Sequence, residues 1–382
     1  MRFLKEHSVT IRTLIYLTVF VIVLEWISRR PDWFVHPITI LVIVIISFFT
    51  LLALTFLFLQ IIQNFRFERS FIPKKLRIAS PRTLENFTVH DPLDCPGEFR
   101  KAQLHVHTSL SYDSDIPPEK VVASYIADGY QFVVITDHDR YSNLSHLGTE
   151  QCIVIPGIEA TIPALFWPIP LGKHLVMINP PPDLSPHTPV QDRIERVDKY
   201  GGVVIPAHLS WRGGAGSGRW FPKELLKLKN LRLVEIYSPY SRDPVDFIIW
   251  HKLNLNSGPS HPIWGVAVDD SHVGSNNRGW IVVKTPSITM ADLIHALKNG
   301  AFYATEGPSL ATRVDDGRNI IASSPEAQWI RFYDAKNQVI GVFRSNEGSY
   351  HCLGDEGFVR VEAVDASNNI AWSQPFWLIE TS

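Results

Sequence analysis

Cysteine is scarce: only Cys95, Cys152 and Cys352 occur in 382 residues. Being odd in number and widely spaced, they exclude both a disulfide framework and a Cys-x-x-Cys zinc motif. An excess of either charge is also missing, since 36 basic and 38 acidic residues nearly cancel. No extended nucleic-acid surface is therefore evident, although a small site for a nucleotide-like substrate needs only local charge. Internal repeats and low-complexity tracts are absent too. The most telling absence is local: the 25 residues from Ile38 to Ile62 carry no charge. As a helix they would measure about 37 Å, enough to cross a hydrocarbon core of roughly 30 Å with tilt.

A second apolar run, Thr13 to Ile27, precedes it and is interrupted only by Glu25. Arg12 and Arg29 can snorkel at its ends. No small-x-small cleavage site follows, so a span is expected here rather than a signal peptide. Residues 1–66 are thus expected to form a transmembrane helical hairpin. Nine basic residues flank its outer sides (Arg2, Lys5, Arg12, Arg66, Arg69, Lys74, Lys75, Arg77 and Arg82), against Arg29 and Arg30 in the connecting loop. That bias places both ends, and everything downstream, in the cytoplasm. Residues 67–100, mostly polar and with four prolines, read as a linker.

From residue 101 onward, short apolar runs of strand type appear at 104–106, 132–136, 153–156, 175–178, 203–206, 231–236 and 264–268. Helical segments lie between several of them. Those ending before Gly129, Gly201 and Gly300 have a glycine stop, and Lys223 to Leu228 is a shorter candidate without one. The alternation predicts an α/β fold with a parallel sheet over 101–309. Seven strands would allow closure into a barrel, and an open doubly wound sheet is the alternative. Residues 310–382 alternate apolar and polar side chains around Asp, Asn and Gly turns, which predicts a small antiparallel β domain.

Polar residues gather where these strands should end. His105 and His107 are two apart, so an extended backbone points both the same way. His138 follows the second strand, Glu159 the third, His174 opens the fourth, His208 ends the fifth, and Asp270 and His272 end the seventh. With an acid from "SYDSD", nine candidate ligands converge on one rim. Burying bare imidazoles is costly, and a shared cation removes the cost. Imidazole and carboxylate without thiolate suit two or three divalent ions of zinc, manganese or iron, with Glu159 bridging. His7, His36, His90, His146, His187, His251, His261, His295 and His351 lack such placement and read as surface or incidental.

The motifs "HVHTSLSYD", "ITDHD", "PGIE", "KHLVMI", "IPAH" and "DDSH" resemble, in order, those of the PHP (polymerase and histidinol phosphatase) family. The stretch from "NNRGWIVV" to "QPFWL" is similar to its CehA-like branch, which carries a C-terminal β extension. The resemblance spans residues 101 to 380. It implies a distorted seven-stranded (β/α) barrel holding three metals: His105, His107, Glu159 and Asp270 at the first, Glu159, His174 and His208 at the second, and Asp113, His138 and His272 at the third. The family's usual "SDG" is replaced here, which leaves Asp115 as an alternative to Asp113. Asp269 is a weaker alternative to Asp270.

The expected activity is that of a membrane-anchored phosphoesterase in which a metal-bound hydroxide attacks a phosphate ester. His105, His107, Glu159, His208 and Asp270 act through the metal-bound water. Candidate substrates are a small phosphate ester, a nucleotide, a nucleoside bisphosphate or an oligonucleotide end. Arg212, Arg219 and Arg278 are candidate phosphate contacts. A carboxylic or carbamate ester hydrolase is the alternative, for which Trp167, Trp211 and Trp220 could line an apolar site. A non-catalytic membrane-tethered binding module is the third reading. Protein partners and oligomeric state are not legible.

Overall fold

The computed structural model describes residue 25, residues 37–70, 83–163, 172–185, 188–213, 218–241 and 244–381. Helix α1 (Pro37–Ser70) contains the uncharged run, and from Ile40 it is long and apolar enough to cross a membrane. None of residues 40–66 is buried. The Thr50 and Thr55 hydroxyls donate to the carbonyls of Ile46 and Leu51, both at 2.8 Å, so the helix satisfies them internally. The other expected span, Thr13 to Ile27, lies outside the described residues except for Glu25, which is helical.

The body contains strands β1 (Phe87–His90), β2 (Glu98–Gln103), β3 (Phe132–Ile135), β4 (Ile153–Pro163), β5 (Gly172–Ile178), β6 (Val203–Pro206), β7 (Leu233–Tyr237), β8 (Trp264–Ala267), β9 (Trp280–Thr285) and β10 (Phe302–Thr305). Interleaved helices are α2 (Pro118–Ala127), α3 (Val190–Lys199), α4 (Pro222–Leu225), α5 (Pro244–Ser257) and α6 (Met290–Asn299). Local chemistry fixes their ends. Pro118 opens α2 with its φ already helical. The Thr289 hydroxyl accepts from the Asp292 N–H at the start of α6, and Gly300 ends that helix at φ 73°. A Cβ on Gly300 would come within 2.6 Å of the Trp264 ring.

The result is a mixed α/β fold. Pairs β2–β3 and β3–β4 are parallel, whereas β4–β5, β5–β6 and β2–β9 are antiparallel. The uniformly parallel sheet expected from helix–strand alternation is therefore corrected. Only eight residues separate β4 from β5, fewer than the dozen or so that a parallel crossover needs. Strands β7 and β8 form a separate parallel pair, tied to the end of β2 by a parallel bridge between Val106 and Ser271. The apolar faces of β2 through β10, with α3, α5 and α6, share one buried core.

The C-terminal part is sheet-rich, with β11 (Ala311–Asp315), β12 (Asn319–Ser323), β13 (Ala327–Asp334), β14 (Val339–Phe343), β15 (Glu347–His351), β16 (Phe358–Asp365), β17 (Ile370–Trp372) and β18 (Phe376–Glu380). It continues the main sheet rather than standing apart, because β17 pairs with β10. The segment expected as a linker also departs from expectation. Residues 37–70 are one helix, and β1 pairs with β18 from Phe87 opposite Glu380 to His90 opposite Trp377.

Gln374 makes a further tie. Its side chain accepts from the Gly265 N–H and donates to the Gly265 carbonyl, both at 2.8 Å, in place of a neighbouring strand on that edge of β8. Gln374→Ala is expected to strand two buried backbone groups and cost about 2–4 kcal/mol. Chemical unfolding of the full chain in detergent micelles should show a lower midpoint, and an unchanged midpoint would contradict the assignment.

Candidate metal centre

The site is built around Glu159, whose side chain is 1% exposed. The β3–β4 ladder runs on into it: the Glu159 N–H donates to the Thr136 carbonyl at 3.1 Å, and the Asp139 N–H donates to the Glu159 carbonyl at 2.9 Å. This seats His138 beside Glu159 in a parallel bridge. In the antiparallel β4–β5 pair, Thr161 opposes His174. His174 thus lies on the face of Glu159, two residues along. A parallel β5 would have carried His174 to the far end of the sheet.

His105 and His107 sit just past β2 rather than on it, but the bridge at Val106 keeps their backbone extended. Thr108 is pinned behind them, its N–H donating to Asp137 at 2.7 Å. His208 and Asp270 follow β6 and β8 with φ of 29° and 44°. Such left-handed backbone is costly for a residue with a side chain and marks sites that the surroundings over-determine.

Five ring nitrogens face the two oxygens of Glu159. Oε2 lies 3.1 Å from His105 Nε2, 3.2 Å from His107 Nε2 and 3.2 Å from His138 Nδ1. Oε1 lies 2.8 Å from His174 Nδ1 and 3.0 Å from His208 Nε2. Asp270 Oδ1 is 3.4 Å from both His105 Nε2 and His107 Nε2. Asp113 Oδ2 is 3.1 Å from His138 Nε2 and 3.0 Å from His272 Nε2. All nine expected ligands are therefore brought together. They fall into three overlapping groups whose ligand atoms lie within 4.8 Å of one another: His107, Asp113, His138 and His272; His105, His107, Glu159 and Asp270; and His138, Glu159 and His174. His208 joins through Glu159.

The donor set fits divalent cations. Nε2 of His105 and His107, and Nδ1 of His138 and His174, are buried without a hydrogen-bond partner although carboxylate oxygens lie close by. A cation between each nitrogen and its oxygen would satisfy both.

Without a cation the groups hold one another by charge. Burial opposes an imidazolium at His107, yet Asp270 and Glu159 outweigh it and carry the group up to about 9. At His105, burial is likewise outweighed by Asp270, Glu159 and Glu235. Burial also opposes the Glu159 carboxylate, but His174, His105 and His138 hold it well below its ordinary range. Within the cluster, His174 shifts down, because burial dominates there.

Two expected alternatives lie elsewhere. Asp115 is exposed and belongs to none of these groups. Asp269 accepts from the backbone N–H of Asn276 at 2.8 Å and Arg278 at 3.1 Å and from the Tyr125 hydroxyl at 3.0 Å, shaping the loop beyond β8. Arg212 and Arg278 are exposed, whereas Arg219 is buried with its guanidinium carbon 4.6 Å from the Phe67 ring centre. Trp211 packs against His174 and His208 at centroid distances of 5.0 and 4.9 Å. Trp220 donates its indole N–H to the His174 carbonyl at 3.1 Å. Trp167 lies outside the described residues. His251, expected as incidental, is in fact buried, and its Nε2 accepts from Arg360 at 2.7 Å.

Sequence reasoning missed Glu235. It is fully buried in β7 and holds His105 Nδ1 at 2.8 Å. A carboxylate on the second ring nitrogen fixes the tautomer and aims Nε2 at the cluster. The signal was a lone acid within the apolar run "LVEIY", which only a buried partner can justify.

Neither a family model nor a curated protein matches the sequence. Among solved structures, a two-domain protein from Bacteroides vulgatus containing a predicted PHP-like metal-dependent phosphoesterase is 14% identical, with a TM-score of 0.42, covering 77% of this chain and 99% of that one. A candidate metal-dependent phosphoesterase from Bifidobacterium adolescentis is 14% identical, with a TM-score of 0.36, covering 52% and 96%. An amidohydrolase from Chromobacterium violaceum, solved with sulfate and no metal, is 14% identical, with a TM-score of 0.34, covering 45% and 87%.

The raised imidazoles set a sign for pH dependence. With His107 raised to about 9 in the metal-free fold, its stabilisation is complete below its unfolded value near 6.5 and is lost as pH rises through 9. Thermal unfolding of the chelator-treated full chain should therefore weaken between those pH values. Manganese or zinc should reverse the trend, because a cation competes with the protons. A metal-independent pH profile would contradict a shared site.

Proposed function

We propose that this chain is a membrane-anchored, metal-dependent hydrolase of the PHP type, acting on phosphoric esters. The observation that carries the proposal is the division of Glu159: Oε2 serves His105, His107 and His138, while Oε1 serves His174 and His208. A carboxylate so divided is suited to bridge two cations. The first would be held by His105, His107, Glu159 and Asp270, the second by Glu159, His174 and His208, and a third by Asp113, His138 and His272. Divalent ions in such a site supply Lewis acidity toward a phosphoryl oxygen and lower the pKa of water.

The chain's own residues supply the rest. Glu235 orients His105. Trp211 covers His174 and His208 and keeps bulk water from that side. The Tyr240 hydroxyl lies 3.4 Å from His272 Nδ1 on the open side. Burial, then Asp270, raises the Tyr240 phenol, so at neutral pH it keeps a proton to donate to a substrate oxygen. Arg212 and Arg278, both exposed, are the candidate phosphate contacts. Nine basic residues outside the apolar hairpin, against Arg29 and Arg30 in its loop, support a cytoplasmic orientation of the body. A carboxylic or carbamate ester is the alternative substrate, favoured by the aromatic face of Trp211.

The test compares an aryl phosphate with an aryl acetate, using full-length protein loaded with manganese, zinc or iron. Phosphate turnover is expected, abolished by chelation and by the His105→Ala/His107→Ala double variant. Glu235→Gln should weaken metal affinity by about 10–100-fold. Acetate turnover without phosphate turnover would transfer the reading to the alternative. No turnover of either ester would remove it.

A further inference from the structure

Helix α1 carries the apolar run directly onto the body. It runs unbroken from Pro37 to Ser70, and its last turns dock on the body, with Phe67 2% exposed inside the main core. The Phe67 ring meets Phe221 edge-on at 5.6 Å. The guanidinium carbon of Arg66 lies 5.9 Å from the Phe221 ring centre. Phe221 belongs to the segment that follows β6, the same segment whose Trp211 packs on His174 and His208 and whose Trp220 holds the His174 carbonyl. One short stretch of chain therefore touches the foot of the anchor on one side and the ligand cluster on the other.

The spacing makes this contact informative. The apolar run ends at Ile62, before Gln63 and Asn64, and the docked ring is Phe67, a rise of about 7.5 Å along a helix. That matches the headgroup layer, roughly 5–8 Å on each side of the hydrocarbon. A continuous helix permits no swing between span and body, so the segment over the cluster is held at headgroup depth. Cations gather there. Arg66 and Arg69 are both exposed in the last turns, and Lys173, paired to Glu224, stands 5.7 Å from the Phe221 ring centre. Basic residues at this depth attract anionic headgroups.

From this placement, and resting on the hydrolase reading above, we infer that the substrate is an anionic amphiphile held in the bilayer: a phosphate ester with a hydrocarbon tail, taken from the membrane surface. In the reaction the oxygen of water bonds to phosphorus and the ester P–O bond breaks. One water proton passes to the departing alcohol, and the other remains on the phosphate or is lost to solvent. No oxidant, reductant or further co-reactant is required.

The test uses the full chain in phosphatidylcholine vesicles, loaded with manganese. Two probes share one chromogenic leaving group: hexadecyl nitrophenyl phosphate within the vesicles and ethyl nitrophenyl phosphate in solution. At equal bulk concentration the bilayer probe should be cleaved at least about tenfold faster, as expected when binding becomes effectively intramolecular. A variant with about twenty Gly/Ser residues inserted between Gln63 and Asn64 leaves Phe67 docked and the cluster untouched, but lets the body retreat by roughly 25 Å. It should lose the preference while keeping ethyl ester turnover. Equal rates for the two probes, or a preference that survives the insertion, would overturn the inference. Ethyl turnover alone would do so while leaving the hydrolase reading intact, and turnover of neither would overturn both.

Discussion

A single carboxylate with almost no access to water must be neutralised from every side, and that requirement organises the molecule. Glu159 is met by five imidazoles drawn from the segments after β2, β3 and β6 and from β5. Taking so many ionisable groups out of water costs several kcal/mol for each charge and is tolerated only with close compensation. The compensation is geometric. Strands β3 and β4 carry their ladder past His138 to Glu159, and β5 is antiparallel so that its beginning, with His174, reaches the same rim. His208 and Asp270 accept left-handed backbone to point inward.

Around this centre the remaining elements hold distances. Glu235 fixes the ring of His105 from behind, and Asp137 fixes the turn that follows His107. The C-terminal strands extend the main sheet and use Gln374 to satisfy the buried, unpaired edge of β8. Helix α5 is bound to them through His251 and Arg360. Helix α1 reaches the cluster through Phe221 and Trp220. Fold and site are therefore one network, in which the polar contacts carry position and the apolar core carries stability.

Eight of the nine clustered residues were legible because each is a polar residue beside an apolar run, a combination that needs a partner; Asp113, in "SLSYDSD", was singled out by the family resemblance alone. Helix ends at Gly129, Gly201 and Gly300 were legible because those glycines take positive φ. Strand direction was not: β5 and β6 flank helix α3 yet pair antiparallel, so helix–strand alternation cannot decide it. Helix α5 was hidden because Asp246, His251, Lys252 and Asn254 are buried within it, which erases the apolar stripe. Their partners, such as the Ile263 carbonyl for Asn254 and Ser241 for Asp246, come from other segments. The pairing of β1 with β18 joins the two ends of the body, and no local pattern announces such a contact.

The central claim is that the space between Glu159 and its imidazoles is occupied by cations in the working protein. Anomalous X-ray diffraction at the manganese edge, from full-length protein crystallised with manganese, tests it directly. The account predicts at least two peaks within coordination distance of Glu159, one on the side of His105, His107 and Asp270 and one on the side of His174 and His208. Featureless anomalous maps, with the ring nitrogens bonded straight to the carboxylates, would contradict it.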